Sequence, residues 1–153
     1  MDESKTFDFQ KQLKVGAKGE ELFLSLYPNV TKTDGIKHDF EWNGKTIELK
    51  TDTYSMEDTP NFFMEHISDV KSMDSPKTKM GGPWRALEDG VDYFVYMFSK
   101  QKKCFWFRPK DLVKFLDEHI KTLGYKVIRN KGWTSRGYAV AREKVSHLYL
   151  DIK

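Results

Sequence analysis

The chain has 153 residues, of which 39% are hydrophobic and 32% are charged, and its formal net charge is +3. This length suffices for one domain with its own core, and the composition is typical of a soluble globular protein. No apolar run approaches the roughly 20 residues of a membrane-spanning helix, so we expect no membrane partner. The net charge is too small to establish a nucleic-acid partner, so the placement of the positive charges matters more.

The single cysteine limits the chemistry that the chain can carry. Cys104 excludes an internal disulfide and cannot supply a cysteine-rich zinc site. It lies in an apolar, strand-like run, and we interpret it as a small buried hydrophobic residue. The N-terminal segment is polar and acidic, which is not the pattern of a secretory signal. We therefore expect a cytoplasmic protein.

Hydrophobic periodicity and turn residues divide the chain into helices and strands. After a loose leader at residues 1–8, the expected elements are a helix at 9–27, a short strand at 29–34, a hairpin at 36–52, a strand at 61–68, a hairpin at 92–107, a helix at 109–123, and strands at 125–130, 138–141 and 147–152. Residues 69–90 show little periodicity and are expected to form a long loop. The order predicts one α/β or α+β domain, residues 1–153, with a central mixed sheet flanked by helices.

The hairpin at 36–52 carries the most specific signal. Asn43-Gly44 favours a two-residue type I′ turn, because both residues tolerate positive φ. Alternation then gives one apolar face, formed by Ile36, Phe40, Trp42, Ile47 and Leu49. The polar face carries Lys37, Asp39, Glu41, Thr46, Glu48 and Lys50. Asp39 and Glu48 fall opposite each other, roughly 5 Å apart at Cβ, where like charges repel unless a cation lies between them.

This polar face predicts a site for a hard cation such as Mg²⁺, which prefers oxygen ligands. Asp39 and Glu48 would supply two carboxylates, and the backbone carbonyl of Leu49 a third oxygen. Lys50 could orient an attacking water or offset charge on a pentacovalent phosphorus. Glu20, on the first helix, could hold the outer waters of the metal or a second metal. Two other carboxylates compete for this last role, those of Glu21 and Glu65.

These residues resemble the PD-(D/E)XK nuclease superfamily. The resemblance rests on Asp39, followed after eight residues by Glu48-Leu49-Lys50, and on Gly16-Ala17-Lys18-Gly19-Glu20 in a preceding helix. The order of helix, hairpin and later strand and helix is also similar to the family core. His38 stands where the family pattern has a proline.

The resemblance implies a restriction-endonuclease-like fold and Mg²⁺-dependent DNA cleavage, with Mn²⁺ as a substitute and no small-molecule cofactor. Asp39 and Glu48 would be the metal ligands, Lys50 the catalytic lysine and Glu20 the helix carboxylate. The small size is similar to that of phage nucleases and Holliday-junction resolvases, many of which dimerise. A homodimer acting on DNA, including branched DNA, is therefore expected.

Basic residues near aromatic ones indicate where DNA would bind. Lys37 lies on the polar face of the hairpin, and Lys79 and Arg85 flank Trp84 in the long loop, together with Lys71 and Lys77. The alternative is a solvated loop in which Trp84 anchors the core. A second basic cluster would either contact phosphates or only keep the surface soluble; it comprises Arg129, Lys131, Arg136, Arg142 and Lys144 with Trp133 and Tyr138.

Two other classes of function stay open at this point. One is a nucleic-acid-binding protein with the same fold and no catalysis. The other is an interaction protein in which the aromatic strands form an interface instead of a core, through Phe94, Tyr96, Phe105 and Trp106.

Overall fold

The computed structural model describes residues 9–34, 38–69, 79–130 and 133–152. The helices are α1 (Phe9–Leu26), α2 (Gly82–Glu88), α3 (Pro109–Glu118) and α4 (Arg142–Val145), the last followed by a 3₁₀ turn at Ser146–Leu148. The strands are β1 (Thr31–Lys32), β2 (Phe40–Trp42), β3 (Lys45–Asp52), β4 (Asn61–Asp69), β5 (Lys79–Met80), β6 (Tyr93–Phe98), β7 (Lys103–Phe107), β8 (Gly124–Asn130) and β9 (Trp133–Ala141). The expected leader at 1–8 lies outside the described residues.

The strands form two sheets, where the sequence predicted one. The first has the order β1-β2-β3-β6-β7 and is mixed, because β3 and β6 run parallel while the other pairs are antiparallel. The second has the order β5-β4-β9-β8 and is antiparallel throughout. The predicted α+β class with a mixed sheet is confirmed, and the second sheet is an addition to it.

Both faces of the first sheet are buried. On one face a cluster joins it to α1 and contains Phe23, Val30, Phe40, Ile47, Val95, Met97 and Trp106. On the other face a larger cluster joins it to the second sheet, α2 and α3, and includes Phe62, Met64, Phe94, Tyr96, Phe98, Phe107 and Leu112. Because successive β6 residues enter opposite clusters, this strand is a continuous apolar run.

This packing rules out the proposed aromatic interface. Phe94, Tyr96, Phe105 and Trp106 are at most 7% exposed, so they form the core of the monomer. No helix within the described ranges is long and apolar enough to cross a membrane.

The hairpin forms as predicted. Asn43 has φ +50° and Gly44 has φ +75°, the combination that a type I′ turn requires. The register pairs Phe40 with Ile47 and Trp42 with Lys45. The turn thus places the apolar face of the hairpin against α1 and leaves the acidic face on the side of the second sheet.

Part of the predicted long loop is helical. α2 begins after Gly81, has Pro83 in its first turn and buries the side chains of Trp84 and Ala86. Proline is pre-organised for a helix start, so a local signal was present. The expectation of a loop up to residue 90 was wrong because seven residues are too few to show helical periodicity.

The end of the chain also differs from the prediction. The strand expected at 147–152 is replaced by the 3₁₀ turn and an isolated bridge between Leu150 and Trp106. Tyr149 packs against the rings of Phe62 and Phe105, and Leu150 packs in the cluster that contains α1. Tyr149 and Leu150 therefore pack in different hydrophobic clusters. Because neighbouring residues face opposite sides, the sequence shows the same alternation as a strand, which is why a strand was predicted here.

Replacing Gly19 by alanine is expected to lower the free energy of unfolding by about 1–3 kcal/mol. A β-carbon at Gly19 would lie 2.1 Å from Oγ1 and 2.9 Å from Cβ of Thr51, so α1 would have to move away from β3. Gly16→Ala is the matched control, because nothing lies within 4 Å of a β-carbon there. It should add about 0.5–1 kcal/mol through helix propensity. Urea denaturation measures both, and equal effects would contradict this close approach.

Candidate metal centre and catalytic site

The carboxyl groups of Asp39 and Glu48 lie close enough for each to shift the pKa of the other. The backbone N–H of Asp39, which directly precedes β2, donates to the carbonyl of Ile47 at 2.8 Å, and Ile47 is the residue that pairs with Phe40. Asp39 Oδ2 accepts a hydrogen bond of 2.9 Å from the N–H of Leu49. Asp39 and Glu48 are therefore neighbours, although the ladder pairs of the hairpin run only from Trp42–Lys45 to Phe40–Ile47.

Burial raises the proton affinity of the Asp39 and Glu48 carboxyl groups. Burial raises the pKa of Glu48 to about 8, and the neighbouring charge of Asp39 adds to the effect. Burial also raises the pKa of Asp39, although the N–H of Leu49 opposes the shift by stabilising the ionised form. The two half-buried acids therefore hold on to a proton more strongly than exposed carboxyl groups do.

The groups near this position that could bind a cation all supply oxygen. In a strand, the N–H and C=O of one residue point toward the same neighbouring strand. Since the N–H of Leu49 points at Asp39, its carbonyl is directed to the same side. Within the described ranges, no three His, Cys, Asp or Glu side chains are gathered to hold a metal. Two carboxylates and a carbonyl nevertheless fit Mg²⁺, which keeps several water ligands.

Glu20 lies near this pair but does not join it. Its carboxylate forms an ion pair of 2.8 Å with Lys32 of β1. Its charge contributes to the raised pKa of Asp39, so the two groups lie within electrostatic range. Glu21 is exposed. Of the two helix carboxylates that the sequence left open, Glu20 is the one that influences the site.

Lys50 follows Glu48 by two residues on β3, so both side chains extend toward the second sheet. Burial raises the pKa of Glu65, and the positive charge of Lys50 opposes that shift. Glu65 therefore lies within electrostatic range of Lys50, but the two side chains form no ion pair.

The predicted DNA contacts divide into three groups. Lys37, Lys71 and Lys77 lie outside the described residues, and only the backbone of Lys79 is described, in β5. Arg85 is half exposed on α2, forms an ion pair of 2.7 Å with Asp89, and lowers the pKa of Glu48. Its guanidinium is therefore at the rim of the site.

The assignment of Trp84 to DNA binding was wrong. Its side chain is 7% exposed, its indole N–H donates to Asp117 at 2.9 Å, and its ring packs on His66 with 4.3 Å between centroids. A ring that is enclosed in this way cannot stack on a base. The alternative interpretation, an anchor of the core, is the one that the structure supports.

In the second basic cluster, Arg142 is also engaged in contacts within the protein. The guanidinium of Arg142 donates to the carbonyls of Thr59 at 2.7 Å and Met56 at 3.1 Å, and it lies over the ring of Phe98. It therefore holds the connection before β4 and is not free to contact phosphate. Lys131 lies outside the described residues.

A polar link between the two sheets was missed by sequence reasoning. The hydroxyl of Tyr96 donates to Asp52 Oδ2 at 2.5 Å and accepts the N–H of Phe63 at 3.0 Å. Tyr96 is fully buried. Asp52 lies two residues beyond Lys50 and continues the polar face of β3, so its side chain could have been expected to need a polar partner. Tyr96 was not recognised as that partner because β6 is otherwise apolar.

Comparisons with protein-family models, with curated proteins and with solved structures found no match. The resemblance to the PD-(D/E)XK nucleases therefore stays a prediction from the residues. What the geometry adds is the proximity of Asp39 and Glu48, the hydrogen bond from the N–H of Leu49 to Asp39, and the place of Lys50 two residues after Glu48 on β3.

Proposed function

We propose that this protein is a Mg²⁺-dependent endonuclease that hydrolyses DNA phosphodiester bonds with water as the nucleophile. The Asp39–Glu48 pair is the observation that supports this proposal most directly. Two half-buried acids lie side by side, each with a raised pKa, so the pair retains a proton near neutral pH, and a divalent cation could take the place of that proton. A solvated polar face would not bring them together in this way.

The metal would be held by Asp39, Glu48 and the carbonyl of Leu49. All three supply oxygen, which Mg²⁺ prefers, and Mn²⁺ should substitute because it accepts the same ligands. When bound, the ion would supply a Lewis acid that polarises the phosphodiester and lowers the pKa of a water molecule. The N–H of Leu49 keeps the Asp39 carboxylate in its orientation during this chemistry.

Two basic residues would act on the substrate. Lys50, on the same face as Glu48, would orient the attacking water and offset charge on the pentacovalent phosphorus. Arg85, half exposed at the rim, would bind a neighbouring phosphate through its planar guanidinium. Neither contact reads a base, so the sequence of the DNA would matter less than its shape.

The test is incubation of the protein with supercoiled, linear and four-way-junction DNA in Mg²⁺, Mn²⁺ or EDTA. Cleavage is expected in either metal and not in EDTA. Lys50→Ala should lower the rate by at least about 100-fold. Lys45→Ala is the matched control, because Lys45 is exposed on the same strand. Full-rate cleavage by Lys50→Ala, or cleavage in EDTA, would contradict the proposed mechanism.

Binding without cutting would favour the second candidate, a nucleic-acid-binding protein with an inactive site. The dependence of binding on salt concentration counts the phosphate contacts in either case. A homodimer in the cytoplasm is also part of the proposal, and light scattering of the full chain, with and without DNA, measures its mass.

A further inference from the structure

The side of the second sheet that packs against the core becomes exposed at β8. Met64, Tyr138 and Tyr125 lie opposite one another on β4, β9 and β8, so their side chains share one face of the sheet. Met64 is fully buried, whereas Tyr125 is 53% exposed. The ring of Tyr125 lies 5.7 Å from that of Tyr138 between centroids, and the ring of Tyr138 lies 6.0 Å from that of Trp84. An exposed ring is thus supported from behind by the core.

Cations accompany this ring, and no acid accompanies them. Alternation puts Val127 and Arg129 on the same face of β8 as Tyr125. The register puts Arg136 of β9 directly opposite Val127. Residues 119–141 of the sequence contain five lysines and arginines and no aspartate or glutamate. Within the described ranges neither guanidinium forms an ion pair, and the buried Nε of Arg136 has no hydrogen-bond partner, so the protein itself does not neutralise these charges.

A partner that fits this face carries several negative charges and offers flat apolar surfaces. A single-stranded nucleic acid meets both requirements, because its phosphates pair with arginine and its unstacked bases stack on aromatic rings. A duplex keeps its bases within the stack, so it offers the ring much less to contact. A second copy of the chain would press the same cations against the face, and like charges across an interface repel.

We propose that the face formed by Tyr125, Val127, Arg129 and Arg136, the β8 face, binds single-stranded nucleic acid. Tyr125 stacks on a base, and the two arginines contact phosphates. Four residues along a strand span roughly 13 Å, so Tyr125 and Arg129 are far enough apart to hold an extended segment and not one nucleotide alone. The inference goes beyond the proposed nuclease function and does not require it, because this binding involves neither the acid pair nor a metal.

The experiment is fluorescence anisotropy with a labelled oligothymidylate in EDTA, where metal-dependent cleavage cannot interfere. Tyr125→Ala should raise the Kd by about 5- to 100-fold, the range for loss of one base stacked on an aromatic ring. Tyr125→Phe keeps the ring and should bind within about twofold of the wild type. Tyr54→Ala is the matched control, because Tyr54 is 64% exposed elsewhere on the surface. Equal affinities of wild type and Tyr125→Ala would overturn the proposal.

The salt dependence of the same Kd tests the arginines. Arg129→Gln should reduce the slope of log Kd against log salt by about 0.7, the change for one phosphate contact to a single strand. Tyr125→Ala should leave that slope unchanged, since stacking releases no counterions. Arg108→Gln, at an exposed position before α3, is the control for loss of charge alone. A slope that is the same in Arg129→Gln and wild type would overturn the phosphate contact.

Two further ligands and one mass measurement decide between partners. A labelled duplex should lose less than about twofold in affinity on Tyr125→Ala, and an equal loss on duplex and single strand would overturn the preference. Oligouridylate shows whether the strand is DNA or RNA. A dimer in light scattering that Tyr125→Ala abolishes, with nucleic-acid binding unchanged, would assign the β8 face to a second copy. Cleavage without oligothymidylate binding overturns this inference alone, and binding without cleavage overturns the nuclease proposal alone.

Discussion

Asp39→Asn is expected to abolish cleavage while making the metal-free protein more stable. Loss of a carboxylate ligand should lower the Mg²⁺-dependent rate by at least about 1,000-fold, which is about 4 kcal/mol of transition-state stabilisation. The amide oxygen of asparagine can still accept the hydrogen bond from the N–H of Leu49, and its amide group can donate to Glu48. Removing one of two adjacent like charges should add roughly 1 kcal/mol to the free energy of unfolding at about pH 8.

The measurements are cleavage of supercoiled DNA and urea denaturation in EDTA. Glu41→Gln is the matched control: it removes the same charge from β2, where the Glu41 side chain is 55% exposed, and should change neither quantity measurably. Cleavage by Asp39→Asn at the wild-type rate would remove the proposed metal centre. A variant that is both inactive and less stable would show that Asp39 is a structural residue.

Stability without metal is expected to fall as the pH rises. The pKa of Glu48 is raised from 4.5 to about 8 by burial, so between these values the folded state binds more protons than the unfolded state. Stability therefore decreases with pH across that window and is lost progressively up to about pH 8. The total loss should be on the order of 2–4 kcal/mol, measured as the urea midpoint between about pH 5 and about pH 8.5 in EDTA.

Mg²⁺ should oppose this loss. Metal ligands must be deprotonated, so the ion binds more tightly as the pH rises and stabilises the folded state by mass action. The midpoint in Mg²⁺ should therefore depend less on pH than the midpoint in EDTA. Glu48→Gln should flatten the profile in EDTA and abolish the effect of Mg²⁺. A wild-type profile that is flat in EDTA, or unaffected by Mg²⁺, would contradict a cation site at this pair.

The hairpin that carries the candidate site was predictable because its turn is local. A two-residue turn sets the register of a hairpin, so Asn43-Gly44 was enough to place Asp39 next to Glu48. The helix α1 was equally predictable from the sequence, since Pro28 follows its last residue, Leu26, by two positions. In both cases the residues that determine the structure lie within a few positions of the feature that they determine.

The second sheet was not predictable in the same way. β4 pairs with β9, and the partners Asn61 and Ala141 are far apart in the sequence. The sequence pattern within a strand does not identify the strand with which it will pair. The burial of Trp84 and the hydrogen bonds from Arg142 to the segment before β4 depend on the same long-range contacts, so both residues looked like surface DNA contacts. Whether Glu65 joins the site was left open for this reason.

The lengths of the outermost strands restrict how two copies of the chain could associate by β-augmentation. β1 has two residues, and the isolated bridge from Leu150 occupies the outer side of β7 at Trp106. Short or covered edges discourage strand addition. β8, with seven residues and exposed Tyr125 and Val127, is the long boundary strand in the described ranges. A dimer built by extending a sheet would therefore form through β8, on the second sheet, and leave the hairpin that carries the acids accessible to DNA.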